Sequence, residues 1–163
     1  MKEKISSKLL NGLVIVGIVL TILALIATPL VITALLKTSN RELLSSNMVL
    51  ILTGCIYVCA TPYLVALFKL KSICRLLCSQ NSFSPKIAKE FQIIAICAFS
   101  EAVLFILAEL FLYFDRSLFL YALTIIPSII VPFVSITAGF LSLIMSNIFK
   151  KAAEIKEEVD LTF

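Results

Sequence analysis

Four long stretches of this chain are apolar and almost free of charge, and short polar segments separate them. They cover residues 11–36, 47–70, 91–114 and 118–149. A run of about 18 or more apolar residues reaches across a hydrocarbon core roughly 30 Å thick. Lipid cannot satisfy backbone N–H and C=O groups, so each such run must be helical. The pattern therefore predicts an all-α polytopic membrane protein, a single four-helix domain over residues 1–163. Lys2, Lys4 and Lys8 precede the first run as they would in a signal peptide. The run is too long for one, and no small-x-small cleavage pattern follows, so a retained helix is expected, bent by Pro29 near its outer end. The fourth run has 32 residues, about 48 Å of helix at 1.5 Å per residue. Tilt, kinks at Pro127 and Pro132, or an extension out of the bilayer must absorb the excess. Splitting it at those prolines leaves halves too short to span, and a count of three discards a segment as apolar as the others.

Composition sharpens this reading. Hydrophobic residues make up 61% of the chain and charged ones 15%, where a soluble domain keeps about a quarter charged. The mean hydropathy is +1.10. Lys and Arg divide unevenly: eleven lie in the N-terminal tail, the second loop (with Lys69) and the C-terminal tail, against three in the first and third loops. The positive-inside rule then places both termini and the 71–90 loop in the cytoplasm. The net charge of +4 is thus a topology signal and gives no reason to expect direct nucleic acid binding.

Chemistry is restricted. The chain has no histidine, the commonest general base and metal ligand. There is no phosphate-binding glycine loop or metal motif, so no catalytic, cofactor or metal residues are expected. The five cysteines include two i, i+4 pairs, Cys55/Cys59 and Cys74/Cys78. Same-face thiols can bind a soft metal or sense redox state, but cysteine also packs as a small hydrophobe. Cys74/Cys78 is the pair expected to be reachable.

Glu101 and Glu109 lie inside the third span, where an ionisable group is a functional candidate by default. Eight residues apart, they stand about 12 Å apart along the helix axis and about 80° around it, so they do not share one proton. One reading makes Glu101 a proton or cation site of a small transporter. The other makes it a neutral carboxyl hydrogen-bonded to a neighbouring helix, with Thr53, Tyr57, Thr124 and Ser128 as candidate partners, and Glu109 snorkelling outward. Ala98 and Ala102 on the third helix, and Ala138, Ser142 and Ser146 on the fourth, recur every four residues. They mark faces where helices, within one chain or between copies, approach closely.

The polar segments on the basic side are the most distinctive. Lys69, Lys71 and Arg75 alternate with Ile73, Leu76 and Leu77, as in a helix continuing along a membrane surface to about Gln80-Asn81. Ser84-Pro85 reads as an N-cap followed by proline at the first helical position. The tail 150–163 opens with Lys150 and Lys151 and turns acidic at Glu154, Glu157, Glu158 and Asp160, with Ile155, Val159 and Leu161 as apolar points.

The stretch NSFSPKIAKEFQIIA, Asn81 to Ala95, and the ending IFKKAAEIKEEVDLTF, Ile148 to Phe163, resemble corresponding segments of a bacterial domain-of-unknown-function family of small four-span membrane proteins, the YoaS-like group. Phe149, Glu158, Asp160, Leu161 and Thr162 fall at matching positions. Ser82 stands where proline is usual, Val159 where asparagine is, and Phe163 where a final aliphatic residue is. The resemblance implies a multi-pass protein of the bacterial cytoplasmic membrane without established catalytic activity. Members are often encoded beside a small Cro/CI-type helix-turn-helix regulator, which implies a cytoplasmic DNA-binding partner.

Three functions fit these observations. The first is a regulatory membrane protein that binds such a regulator through the second loop, including Phe83, and the tail residues Phe149, Glu154, Glu157, Glu158, Asp160, Leu161 and Thr162. The second is a minimal transporter or immunity-type protein using Glu101. The third is a structural or assembly subunit recognised within the membrane.

Overall fold

The computed structural model describes the backbone of residues 2–39, 46–78, 84–116 and 122–161, and the side chains of residues 11–34, 37, 47, 49–77, 84–114 and 126–158. It contains four long helices: α1 (Lys2–Ser39), α2 (Ser46–Cys78), α3 (Pro85–Arg116) and α4 (Ala122–Leu161). Each contains a segment long and apolar enough to cross a membrane.

The helices outlast the apolar runs at nearly every end. α1 begins at Lys2, and α3 continues through Asp115 and Arg116, which the sequence reading assigned to a turn. At the α2–α3 junction much of the expected 71–90 loop is helical, because α2 reaches Cys78 and α3 starts at Pro85. Ser84 caps α3 as expected: its carbonyl accepts from the Ile87 N–H at 3.0 Å and its hydroxyl from the Lys86 N–H at 3.3 Å. Proline at the first helical position supplies no N–H, which no intrahelical acceptor could have used there.

Each helix packs on its chain neighbour, α1 on α2, α2 on α3 and α3 on α4, and among the described residues no comparable interface joins α1 to α4. The helices thus form an open row rather than a closed ring. At one end Ile32 of α1 and Leu112 of α3 share an apolar cluster with Val49, Ile51 and Leu52 of α2. At the other end Val14 and Ile18 of α1 pack with Cys74, Leu67 and Leu70 of α2. These contacts make neighbouring helices antiparallel, so both ends of the chain and the α2–α3 junction lie at one end of the row, called the terminal end below. Large apolar side chains such as Leu13, Leu30, Ile129 and Phe133 remain exposed on the outer faces, as expected where lipid tails are the solvent.

The α1–α2 contact rests on a consequence of Pro29. Proline has no N–H to give the carbonyl four residues earlier, which here belongs to Leu25. The Tyr57 hydroxyl of α2 donates to that carbonyl at 3.0 Å. Pro29 therefore frees the acceptor that ties α1 to α2, in a span where an orphan carbonyl would cost several kcal/mol.

The α3–α4 interface is closer still. Ala88, Ala95, Ala98 and Ala102 are buried on α3, and Ser135, Ser142 and Ser146 on α4. The expected small-residue face of α4 needs one correction. Ala138 is exposed, and the adjacent Gly139 takes the interfacial position. A Cβ at Gly139 would stand 2.9 Å from Cε1 and Cζ of the Phe99 ring. That ring is also edge-on to Phe140, with centroids 5.3 Å apart. The true stripe is 135, 139, 142, 146, which follows the 3.6-residue turn more faithfully than a strict four-residue repeat.

Gly139→Val is expected to force the Phe99 ring off α4 and to destabilise the fold by roughly 1–3 kcal/mol. Ala138→Val should stay within about 0.5 kcal/mol of the parent. Thermal unfolding of both variants in the same detergent, followed by circular dichroism, compares them.

Candidate functional site

Charged and polar groups gather at the terminal end. α2 carries Lys69 and Ser72 one turn apart, and both face Glu90 in the second turn of α3. Lys69 Nζ lies 3.0 Å from Glu90 Oε2, and the Ser72 hydroxyl donates to Glu90 Oε1 at 3.2 Å. The Glu90 side chain is about one-tenth exposed, whereas Lys69 is about one-third exposed. The carboxylate is thus the enclosed partner and the ammonium the one reaching out toward water. Ile73, Cys74 and Ile87, the most deeply buried large side chains described, lie at this same end. Ile73 and Cys74 sit within the packed helices instead of on a membrane-surface face, and Cys74 is inaccessible rather than reachable. A basic residue near the end of one apolar span and an acidic one at the start of the next were visible as the signal for this pair. Lys69 was read as a topology charge and as part of a membrane-surface helix, and Glu90 as the last residue of the second loop.

A second set of contacts fixes α4 to the same end of α3. The Ser146 hydroxyl donates to the Ala88 carbonyl at 2.8 Å in a buried setting. The rings of Phe91 and Phe149 stack with centroids 5.5 Å apart and planes 17° apart. Phe149, expected at a partner surface, is half-buried and works here as an internal anchor. Beyond it α4 continues as helix to Leu161. Glu154, Glu157 and Glu158 are exposed, and their i, i+3, i+4 spacing gathers them on one side of the helix. Ile155 beside them is 61% exposed. The backbone of Asp160 and Leu161 is helical; their side chains, and Phe83 and Thr162 entirely, lie outside the described residues.

The two intramembrane carboxyls are held separately. Glu101 hydrogen-bonds with Ser135 and Glu109 with Ser128, both on α4. The bonded reading of Glu101 thus finds a partner on a neighbouring helix, Ser135, rather than Thr53, Tyr57 or Ser128; the Thr124 side chain lies outside the described residues. Glu109 is half-buried against α4 rather than snorkelling free. Among the described residues no three His, Cys, Asp or Glu side chains converge as a metal site.

Lys69→Gln or Glu90→Gln alone is expected to cost roughly 1–3 kcal/mol, less than for a fully buried pair because Lys69 reaches solvent. The double variant should lose less than the sum of the two. Glu101→Gln keeps a group able to bond Ser135 and should stay within about 0.5 kcal/mol of the parent. A thermal-unfolding double-mutant cycle measures all four.

No curated protein and no solved structure matches this chain. A family profile described as "Protein of unknown function (DUF2975)" matches residues 37–163, from the end of α1 through α2, α3 and α4. That match over most of its length shows that the chain, with its four helices long and apolar enough to span a membrane, belongs to the DUF2975 family.

Proposed function

We propose that this protein is a membrane-anchored docking protein of the bacterial cytoplasmic membrane. Both termini face the cytoplasm, and the α4 extension holds a small soluble partner with a basic surface. The observation that carries this reading is the placement of Glu154, Glu157 and Glu158 in the final two turns of α4, exposed beside Ile155, with no basic residue in the last turn. Three exposed carboxylates on one side of a helix give that side a negative field that a basic surface complements, and Ile155 offers the partner an apolar contact. Small helix-turn-helix regulators, the partner class implied by the family resemblance, carry the basic surface that phosphate binding requires.

The terminal end is suited to presenting such a helix. Ser146 on Ala88 and Phe149 on Phe91 fix the direction in which α4 leaves the row. Lys69–Glu90 holds α2 and α3 together beside it. A docking helix whose base is already ordered loses less conformational freedom on binding than a free tail.

Affinity purification of N-terminally tagged protein in mild detergent tests this, with the full-length chain compared with one ending at Ala153. A small helix-turn-helix protein is expected with the full-length chain alone. The triple variant Glu154→Gln, Glu157→Gln, Glu158→Gln should weaken its recovery about tenfold, on the basis of roughly 0.5 kcal/mol per exposed charge pair. Equal recovery with the truncated chain, or no such partner with either intact form, would overturn the reading.

A further inference from the structure

At the terminal end α2 and α3 form an antiparallel pair, with Lys69 and Ser72 facing Glu90. Glu90 is the only acidic residue between Asn47 and Ser100, and those contacts hold it. Four cations on the same two helices, Lys71, Arg75, Lys86 and Lys89, are exposed. Their positions follow from the helix repeat. Two residues along a helix turn it by about 200°. Lys71 and Arg75 stand two residues either side of Ile73, and Lys89 two residues after Ile87; both isoleucines are fully buried. Counted round from the Lys69–Glu90 contact, the two isoleucines lie on one side of the pair. The cations therefore share the other side, with Lys86 one turn before Lys89. Their levels match as well. In an antiparallel pair each step back along α3 is a step forward along α2. With Glu90 opposite the turn from Lys69 to Ser72, Lys89 comes level with Lys71, and Lys86 with Arg75, to within about one residue's rise of 1.5 Å.

The result is a four-cornered basic patch, about 6 Å along the helix axes and about 8–10 Å from axis to axis. Topology accounts for an excess of cations at one end of the spans. It does not set their register or collect them on one face. Like charges one turn apart repel, and no carboxylate on this stretch of either helix is left to separate them. Glu154, the first of the α4 carboxylates, lies eight residues past Ser146, which bonds Ala88, and so beyond the start of α3. An anion is the complement, and its surroundings identify it. Lys71 directly follows the second apolar run and Lys89 comes two residues before the third, so the patch stands where hydrocarbon gives way to headgroups. On the same face, inward from the cations, Phe68 and Ile96 are 53% and 63% exposed. A soluble phosphate has no use for them; acyl chains do. The cation pairs of the two helices lie at one depth, which suits two phosphates side by side. We propose that the outer face of the α2–α3 hairpin binds an anionic glycerophospholipid with two phosphates, of the cardiolipin kind. One phosphate sits between Lys71 and Arg75, the other between Lys86 and Lys89, and acyl chains run along Phe68 and Ile96. The site takes no residue from the docking end of α4.

Native mass spectrometry of the full chain in detergent, titrated with cardiolipin or with phosphatidylglycerol, tests the assignment. The wild-type chain is expected to bind one cardiolipin roughly thirtyfold more tightly than phosphatidylglycerol, whose single phosphate engages one cation pair. Inorganic pyrophosphate should not displace it. Lys71→Gln with Arg75→Gln should weaken cardiolipin binding roughly thirtyfold, at about fivefold per cation, and Lys86→Gln with Lys89→Gln should do the same. Lys150→Gln with Lys151→Gln removes equal charge from α4 and should leave binding unchanged. All six positions are exposed, and circular dichroism and monodispersity confirm that each variant is folded; should one fail there, the wild-type preference between the two lipids decides. Equal weakening by the α4 variant would reduce the patch to a diffuse basic collar. That outcome, equal affinity for the two lipids, or displacement by pyrophosphate overturns the proposal.

Discussion

A bilayer removes the force that assembles most proteins. Apolar side chains gain almost nothing by leaving lipid for one another, so helices in a membrane are held by close packing and by polar groups that have nowhere else to bond. The structure concentrates such contacts at a few points. Leu25 is joined to Tyr57, Glu90 to Lys69 and Ser72, and Ala88 to Ser146, while the Phe99 ring lies against bare backbone at Gly139. Elsewhere the exposed aliphatic and aromatic surface is interchangeable with lipid, which is why the helices are apolar on nearly every face.

This division explains what could be read from the chain alone. Number of spans, helical state and the Ser84 cap follow from local rules: length, charge and one side chain beside its own backbone. Ala98 and Ala102 were also legible, because their four-residue spacing sets them on one face of α3. The register of α4 was not. Ala138 and Gly139 are adjacent and both small, and only the position of Phe99 on another helix decides between them. The Tyr57–Leu25 bond was hidden for a similar reason. Pro29 announces a free carbonyl, but several hydroxyls were candidates to reach it. Ser135 escaped notice as the partner of Glu101 because pairing across antiparallel helices depends on the relative register of α3 and α4, which sequence spacing within one helix does not contain.

The two ends of the row differ in kind. At the terminal end an ion pair, an aromatic stack and a buried hydroxyl bind α2, α3 and α4 within a few turns of one another. Toward the opposite end α1 and α2 touch through Tyr57 and a small apolar cluster, with a crevice between them. Glu101 and Glu109 occupy the interval, each with its own serine on α4, and strengthen the same α3–α4 seam that Gly139 allows to close.

The open row also bears on how the molecule is made. Its extended interfaces all join helices consecutive in the chain, so contacts are short in sequence and the loop entropy to be overcome is small. As synthesis proceeds from the N-terminus, α2 meets α1 already in place, α3 meets α2 and α4 meets α3. After α1 no helix has to wait unpaired for a partner still on the ribosome, and among the described residues no extended interface requires a late ring closure. Assembly can keep pace with translation, one hairpin at a time.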